Sequence, residues 1–251
     1  MAKSALVTGG GTGIGKAVAA ALAGAGYDVT IAGRRQDVLD ATAAEISASS
    51  PGVSVFTFSV DLGTPTGPRE AVLRHIERAG GIDALVTAAA AYAPVHFCDL
   101  DADSWDATLN VALRGSVLSA VEAARYMRDH GGGRIVLFSS INAPASEPES
   151  AHYSAAKAAI VSVAKSIAVD LAGTGVVANA VAPGWVYTDM VAEFVDNSTP
   201  EQLKRVNPLG RAGNVDEIAN LVTYLVCDAP EFLSGTTIFA DGGQTAAAPL
   251  P

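Results

Sequence analysis

Apolar positions in this chain follow two alternating rhythms. Short runs dense in Val, Ile, Leu and Ala lie at residues 5–8, 29–32, 53–60, 84–87, 134–139, 176–181 and 237–240. Their length and composition are those of buried strands. Between them lie six longer segments, rich in Ala and Leu, with apolar residues three and four apart, as on one face of a helix. Glycines at 24–26, 80–81, 131–133 and 173–175 stand where such helices stop before the next strand. The alternation predicts a single doubly wound α/β domain over residues 1–251, a seven-stranded parallel sheet with helices on both faces. Residues 189–213 form the longest stretch without a clear strand or helix, and are expected to be a lid over a ligand. The Ala- and Pro-rich residues 244–251 are expected to be a loose tail.

Composition narrows the partners. A hydrophobic share of 49% allows a large core and argues against disorder. A net charge of −10 argues against nucleic acid or an anionic membrane surface as partner. No apolar run approaches the roughly 18 residues of a membrane span, and the first residues lack the apolar core of a signal peptide. Cys98 and Cys227 stand in unrelated contexts, as small apolar residues do in a reducing, cytoplasmic compartment. No metal is expected: His96 and the cysteines show no ligand spacing. His75 and His130 sit in charged helical surroundings and are read as solvated.

The first apolar run leads straight into Thr8-Gly-Gly-Gly-Thr-Gly-Ile-Gly. Glycines between a strand and a helix permit a tight turn and let backbone N–H groups approach a pyrophosphate. Gly9, Gly11, Thr12, Gly13, Ile14 and Gly15 are therefore candidate dinucleotide ligands in a Rossmann-type fold. The second run ends at Gly33-Arg34-Arg35, where such a fold meets the adenosine ribose. An acidic residue there would suit NAD. Gly33 stands there instead, and the guanidinium forks of Arg34 and Arg35 suit the phosphate of NADP(H). The third run ends at Asp61-Leu62, which either bracket the adenine or cap a turn.

Tyr153 and Lys157 are four residues apart, which puts both on one helix face. An ammonium beside a phenol lowers a pKa that is otherwise about 10, and a phenol so tuned can exchange a proton with an alcohol or ketone. Ser140, at the end of the fifth run, can donate to the same oxygen. His152 adjoins Tyr153, but neighbouring helical residues point about 100° apart, so it is read as a rim or interface residue.

These motifs together, with Asn110, Pro183-Gly184, Thr188 and the closing Asp241-Gly-Gly, resemble the short-chain dehydrogenase/reductase family from Thr8 to Gly243. The resemblance implies an enzyme with Tyr153 as general acid/base, Lys157 lowering its pKa and holding the nicotinamide ribose, and Ser140 orienting the reacting oxygen. It implies that Asn110 holds a water linking Lys157 to solvent. Ala88, Val186 and Thr188 would join the cofactor contacts. The implied reaction is reversible hydride transfer between NADP(H) and a small-molecule ketone or secondary alcohol. The rivals are an NAD-dependent alcohol dehydrogenase and a non-catalytic dinucleotide binder. One departure stands out: Thr87-Ala88-Ala89-Ala90 replaces the family's Asn-Asn-Ala-Gly, with fewer amides for hydrogen bonds. Expected pocket walls are Ser140, Asn142, Tyr153, Trp185 and Met190, with Ala143 and Tyr92, and Phe194 closing from the lid. They carry no Arg or Lys, which disfavours an acidic substrate. The family resemblance also implies a homotetramer joined through helices around 101–129 and 151–173 and the last strand.

Overall fold

The computed structural model describes residues 2–189 and 191–247. Seven strands form one parallel sheet: β1 (Ser4–Thr8), β2 (Asp28–Gly33), β3 (Val55–Ser59), β4 (Ala84–Thr87), β5 (Gly133–Phe138), β6 (Val176–Pro183) and β7 (Thr237–Ala240). Their order in the sheet is β3-β2-β1-β4-β5-β6-β7. The strands are apolar on both sides because both faces are covered, as a parallel sheet requires. Alternate residues feed different cores. Val7, Val86 and Val136 enter one, with Val18 and Leu22 of α1 (Gly13–Gly24), Leu39 of α2 (Gln36–Ser49) and Val222 further along the chain. Leu6, Leu85 and Leu137 enter the other, with Val72 of α3 (Gly67–Ala79), Met127 and Ile160.

The observed strands refine the expected ones. β3 begins at Val55 rather than 53, because a turn around residues 51–53 precedes it. β6 runs on to Pro183, paired with Ala240 of β7. The segment after β4 carries α4 (Ala102–Leu109), a π turn (Asn110–Gly115) and α5 (Ser116–Asp129). α6 spans Ala151–Asp170. The expected lid holds two short helices, α7 (Ala192–Asp196) and α8 (Pro200–Val206), before α9 (Val215–Cys227). A capping box between Thr199 and Gln202 starts α8, and one between Asn214 and Glu217 starts α9. The Asp241 carboxylate accepts from the N–H groups of Gly243 and Thr245 and from the Thr245 hydroxyl. The first part of the expected loose tail is thus held; residues 248–251 lie outside the described ones.

Two histidine readings are corrected. His75, expected to be solvated, is fully buried on the inner face of α3, with Nδ1 2.7 Å from the Thr30 hydroxyl of β2. Its neighbours in sequence are charged, but its own face of the helix meets the sheet. Burial lowers its pKa to about 4. His152, expected at a rim or interface, is 1% exposed. Its Nε2 lies 3.1 Å from the Ala93 carbonyl, so it fixes the segment after β4 rather than facing solvent.

Candidate active site

β2 leads away from β1 on one side and β4 lies on the other, so the strand order reverses between β1 and β4. Ligands bind at the carboxyl ends of such a reversal. A cleft of about 1020 Å³ opens there. Its walls include the predicted Gly9, Gly11, Thr12, Gly13, Ile14 and Gly15, Arg34 and Arg35, Asp61 and Leu62, Ala88, Ser140, Tyr153, Lys157, Val186 and Thr188. Asn110, Asn142 and Trp185 lie outside that wall, and Met190 lies outside the described residues.

The glycine loop is shaped by close backbone contacts. Gly9 has φ +71°, and a Cβ on it would sit 2.6 Å from the Ala89 nitrogen. A Cβ on Gly15 would overlap the Gly9 carbonyl. α1 opens with no acidic residue in its first turn, and the Thr12 side chain does not cap it. Its leading N–H groups are thus presented to the cleft. At the end of β2, Arg34 and Arg35 are exposed, and neither joins a carboxylate among the described residues. Asp37 is exposed on α2 and is not part of the cleft wall. Asp61 lines the cleft and also accepts from the Gly63 N–H at 2.8 Å, so it has the turn-capping contact as well. The altered 87–90 segment leaves the Thr87 hydroxyl buried without a partner among the described residues.

Tyr153 and Lys157 project from one face of α6 into the cleft, as their spacing predicts. The Ser139 hydroxyl donates to the Lys157 carbonyl at 2.9 Å, tying α6 to the end of β5. Ser140 is buried, and its oxygen accepts from the Asn142 backbone N–H at 3.1 Å. The π turn that begins at Asn110 packs against α6. A π turn re-aims side chains within a helical segment; here its Val111 reaches the cleft wall.

The expected lowering of the Tyr153 pKa is not what the structure has. The Lys157 ammonium lies 5.4 Å from the centre of the Tyr153 ring and donates to the Phe138 carbonyl at 2.8 Å. Burial pushes the Tyr153 phenol up to about 12; Ser140 opposes this, while Glu147 and Tyr92 add to it. Burial also brings Lys157 down to about 8. Desolvation by burial is the largest cause of both shifts.

Beyond Tyr153, the Tyr92 ring stands 5.0 Å from the Tyr153 ring. Trp185, just after β6, packs its ring 4.6 Å from that of Phe194 on α7. The Trp185 indole donates to Glu147 at 3.0 Å. Glu147 is absent from the sequence-derived site: it follows no motif, and its partner is 38 residues away. Val38, Leu39 and Asp189 also line the cleft without any sequence signal of that role.

A glycine loop, a cleft at the sheet's switch point and a Tyr–Lys pair beside a serine define a dinucleotide-dependent oxidoreductase. The chain belongs to the short-chain dehydrogenase/reductase family, enzymes that act on CH–OH and C=O groups with a nicotinamide cofactor. Residues 9–245 match the family model described as Enoyl-(Acyl carrier protein) reductase. The chain is 35% identical over 244 residues to acetoacetyl-CoA reductase of Shinella zoogloeoides, covering 97% of this chain and 99% of that protein. The crystal structure of acetoin dehydrogenase from Salmonella typhimurium is similar at TM-score 0.91 and 33% identity, covering 100% of this chain and 99% of that one. A 3-oxoacyl (acyl-carrier-protein) reductase from Agrobacterium tumefaciens, solved with NADP bound, is similar at TM-score 0.89 and 32% identity, covering 96% of this chain and 93% of that one. Among the described residues no helix is long and apolar enough to cross a membrane, and no cluster of His, Cys, Asp and Glu is arranged to hold a metal ion.

Proposed function

We propose that this chain catalyses reversible hydride transfer between NADP(H) and a ketone or secondary alcohol, with Tyr153 as the general acid/base. The observation that carries the reading is the convergence of Ser140, Tyr153 and Lys157 at one wall of the cleft that the glycine loop opens. The residues present fit the dinucleotide. Backbone N–H groups from Gly11 to Gly15 suit its pyrophosphate. Arg34 and Arg35 suit a phosphate on the adenosine ribose, and neither pairs with a carboxylate among the described residues. Ala88, Leu62 and Asp61 border the adenosine, and the Val186 backbone and Thr188 hydroxyl serve the nicotinamide end. The bound cofactor supplies or accepts the hydride.

The chain's own groups handle the proton. The Ser140 oxygen accepts from the Asn142 N–H, which leaves its hydroxyl hydrogen to donate to Tyr153 and, in the complex, to the substrate oxygen. The half-buried Tyr153 stands protonated at neutral pH, the form that donates to that oxygen in reduction. Oxidation runs the same transfer backwards and needs the phenolate, so it gains as pH rises. Lys157 holds the ribose and steadies charge on Tyr153; Asn110, at the head of the π turn, connects Lys157 to solvent.

Tyr153→Phe tests the reading directly. Turnover with NADPH and a ketone is expected to fall by roughly 10²–10⁴-fold, the usual worth of general acid catalysis. NADPH affinity, followed by fluorescence titration, stays near wild type. Turnover that survives in this variant rules out the proton-transfer role.

A further inference from the structure

After β4 the chain runs without regular structure through residues 88–96. Ala88 to Ala91 line the cleft, and Tyr92 follows them. The Tyr92 ring meets two successive side chains in the first turn of α6. Its centre is 5.0 Å from that of Tyr153 and 6.0 Å from that of His152. Neighbouring helical residues point about 100° apart. Tyr153 therefore points into the cleft while His152 does not, and Tyr92 spans the two.

Two hydrogen bonds hold this segment against the start of α6. His152 Nε2 lies 3.1 Å from the Ala93 carbonyl. A carbonyl only accepts, so Nε2 carries the hydrogen. The Val95 N–H donates to the Glu149 carbonyl at 3.0 Å. Glu149 has φ +61°, alone in the left-handed region among the described residues other than glycine. Such strain persists where the surroundings hold it in place. Packing alone does not account for the imidazole. His152 is buried, and its Nδ1 has no partner among the described residues. A buried polar atom left unpaired is unfavourable, and a leucine would avoid it. What a leucine lacks is the hydrogen for Ala93.

The groups around the Tyr153 phenol differ in what they do. Ser140 bonds to it, and the Lys157 ammonium stands 5.4 Å from its ring centre. Glu147 and Tyr92 act on it through charge, yet burial is the largest influence on it. A ring packed against the phenol contributes to that burial.

We propose that His152 is a positioning residue for the proton transfer: through the Ala93 carbonyl it holds the Tyr92 ring against Tyr153, and the ring keeps water from the phenol. This rests on the oxidoreductase reading above. His152 acts only through Tyr92 and Tyr153, and the dry phenol keeps the proton with which reduction begins.

The test follows Tyr153 by NMR in protein labelled at the tyrosine ring carbon that bears the hydroxyl. The chain has six tyrosines, and Tyr153→Phe assigns the resonance by removing it. Wild type is expected to keep Tyr153 protonated up to about pH 11, as a phenol pushed up to about 12 does. In Tyr92→Ala and His152→Leu its titration midpoint is expected to fall by about one pH unit, toward the ordinary value. Tyr92→Phe keeps the ring and His152→Gln keeps an N–H for Ala93, so both are expected to titrate like wild type. Oxidation of 2-butanol by NADP+ gives a second readout: the rise of kcat/KM with pH moves down with the midpoint. General destabilisation lowers activity at every pH and moves neither quantity. An unchanged midpoint in Tyr92→Ala and His152→Leu overturns the proposal. A fall in Tyr92→Ala alone also overturns it, since the ring then keeps its place without His152. A fall in Tyr92→Phe or His152→Gln as large as in its disruptive counterpart overturns it as well. Should His152→Leu fail to fold, Tyr92→Ala decides, and an unchanged midpoint there overturns the proposal. The titration needs no substrate, so its failure is distinct from that of the oxidoreductase reading, which falls if Tyr153→Phe keeps its turnover.

Discussion

A single side chain does different work in this molecule depending on what surrounds it. Arg34 stands at the end of β2 and joins no carboxylate among the described residues. If it reads the ribose phosphate, Arg34→Ala should raise KM for NADPH by about tenfold or more and leave NADH kinetics nearly unchanged. Steady-state kinetics with both cofactors measure this, and a variant that still prefers NADPH as strongly as wild type refutes the assignment. The arginine pair was legible in the sequence because it adjoins a strand end. The protonation of Tyr153 and Lys157 was not. Four-residue spacing brings the two side chains to one face, but their pKa values follow from burial and from groups elsewhere in the chain. The expected lowering of Tyr153 gave way to desolvation. Glu147 was illegible for a related reason: its partners Asn142 and Trp185 meet it only after β5 and β6 are paired.

At the level of elements, the helices are set by where their apolar faces land. α3 presents Val72 and Ala71 to the sheet and brings His75 in with them. The buried imidazole ties α3 to β2 through Thr30. Its folded pKa of about 4 lies below the usual 6.5, so between these values the unfolded chain binds more protons. The neutral ring's contribution is therefore fully present above about pH 6.5 and is lost as pH falls toward 4. Each pKa unit is worth about 1.36 kcal/mol, so the loss approaches about 3 kcal/mol. Urea unfolding at pH 7 and pH 4.5 should show a steeper drop for wild type than for His75→Gln, which can keep a bond to Thr30 without titrating. Equal drops in the two proteins contradict this account. Charged neighbours in sequence suggested a solvated histidine; the helix face, one residue in three or four, overrode them.

The whole molecule leaves surfaces that a single chain does not cover. β7 is a sheet edge, Phe239 on it is 40% exposed, and Phe232 is fully exposed. Along α6, Ala155, Ser162 and Ser166 are exposed, a row of small residues with Ala159 between them. We propose that these faces meet in a homotetramer, as the family resemblance implies. Light scattering of the purified protein should give the mass of four chains; the mass of one chain refutes it. At this scale the sequence by itself determined the alternation of strand and helix, the glycine loop, and the Tyr–Lys pair with its serine. All of these follow from local spacing: a period of two or of 3.6, a turn that only glycine fits, or side chains one helical turn apart. Tertiary structure alone decided which groups sit dry and which meet. Contacts such as Tyr92 with Tyr153, His152 with Ala93 and Trp185 with Glu147 join residues 61, 59 and 38 positions apart. No periodicity carries information over such separations. Packing of both cores against one sheet brings those residues together, and the resulting burial raises the pKa of the Tyr153 and Tyr92 phenols.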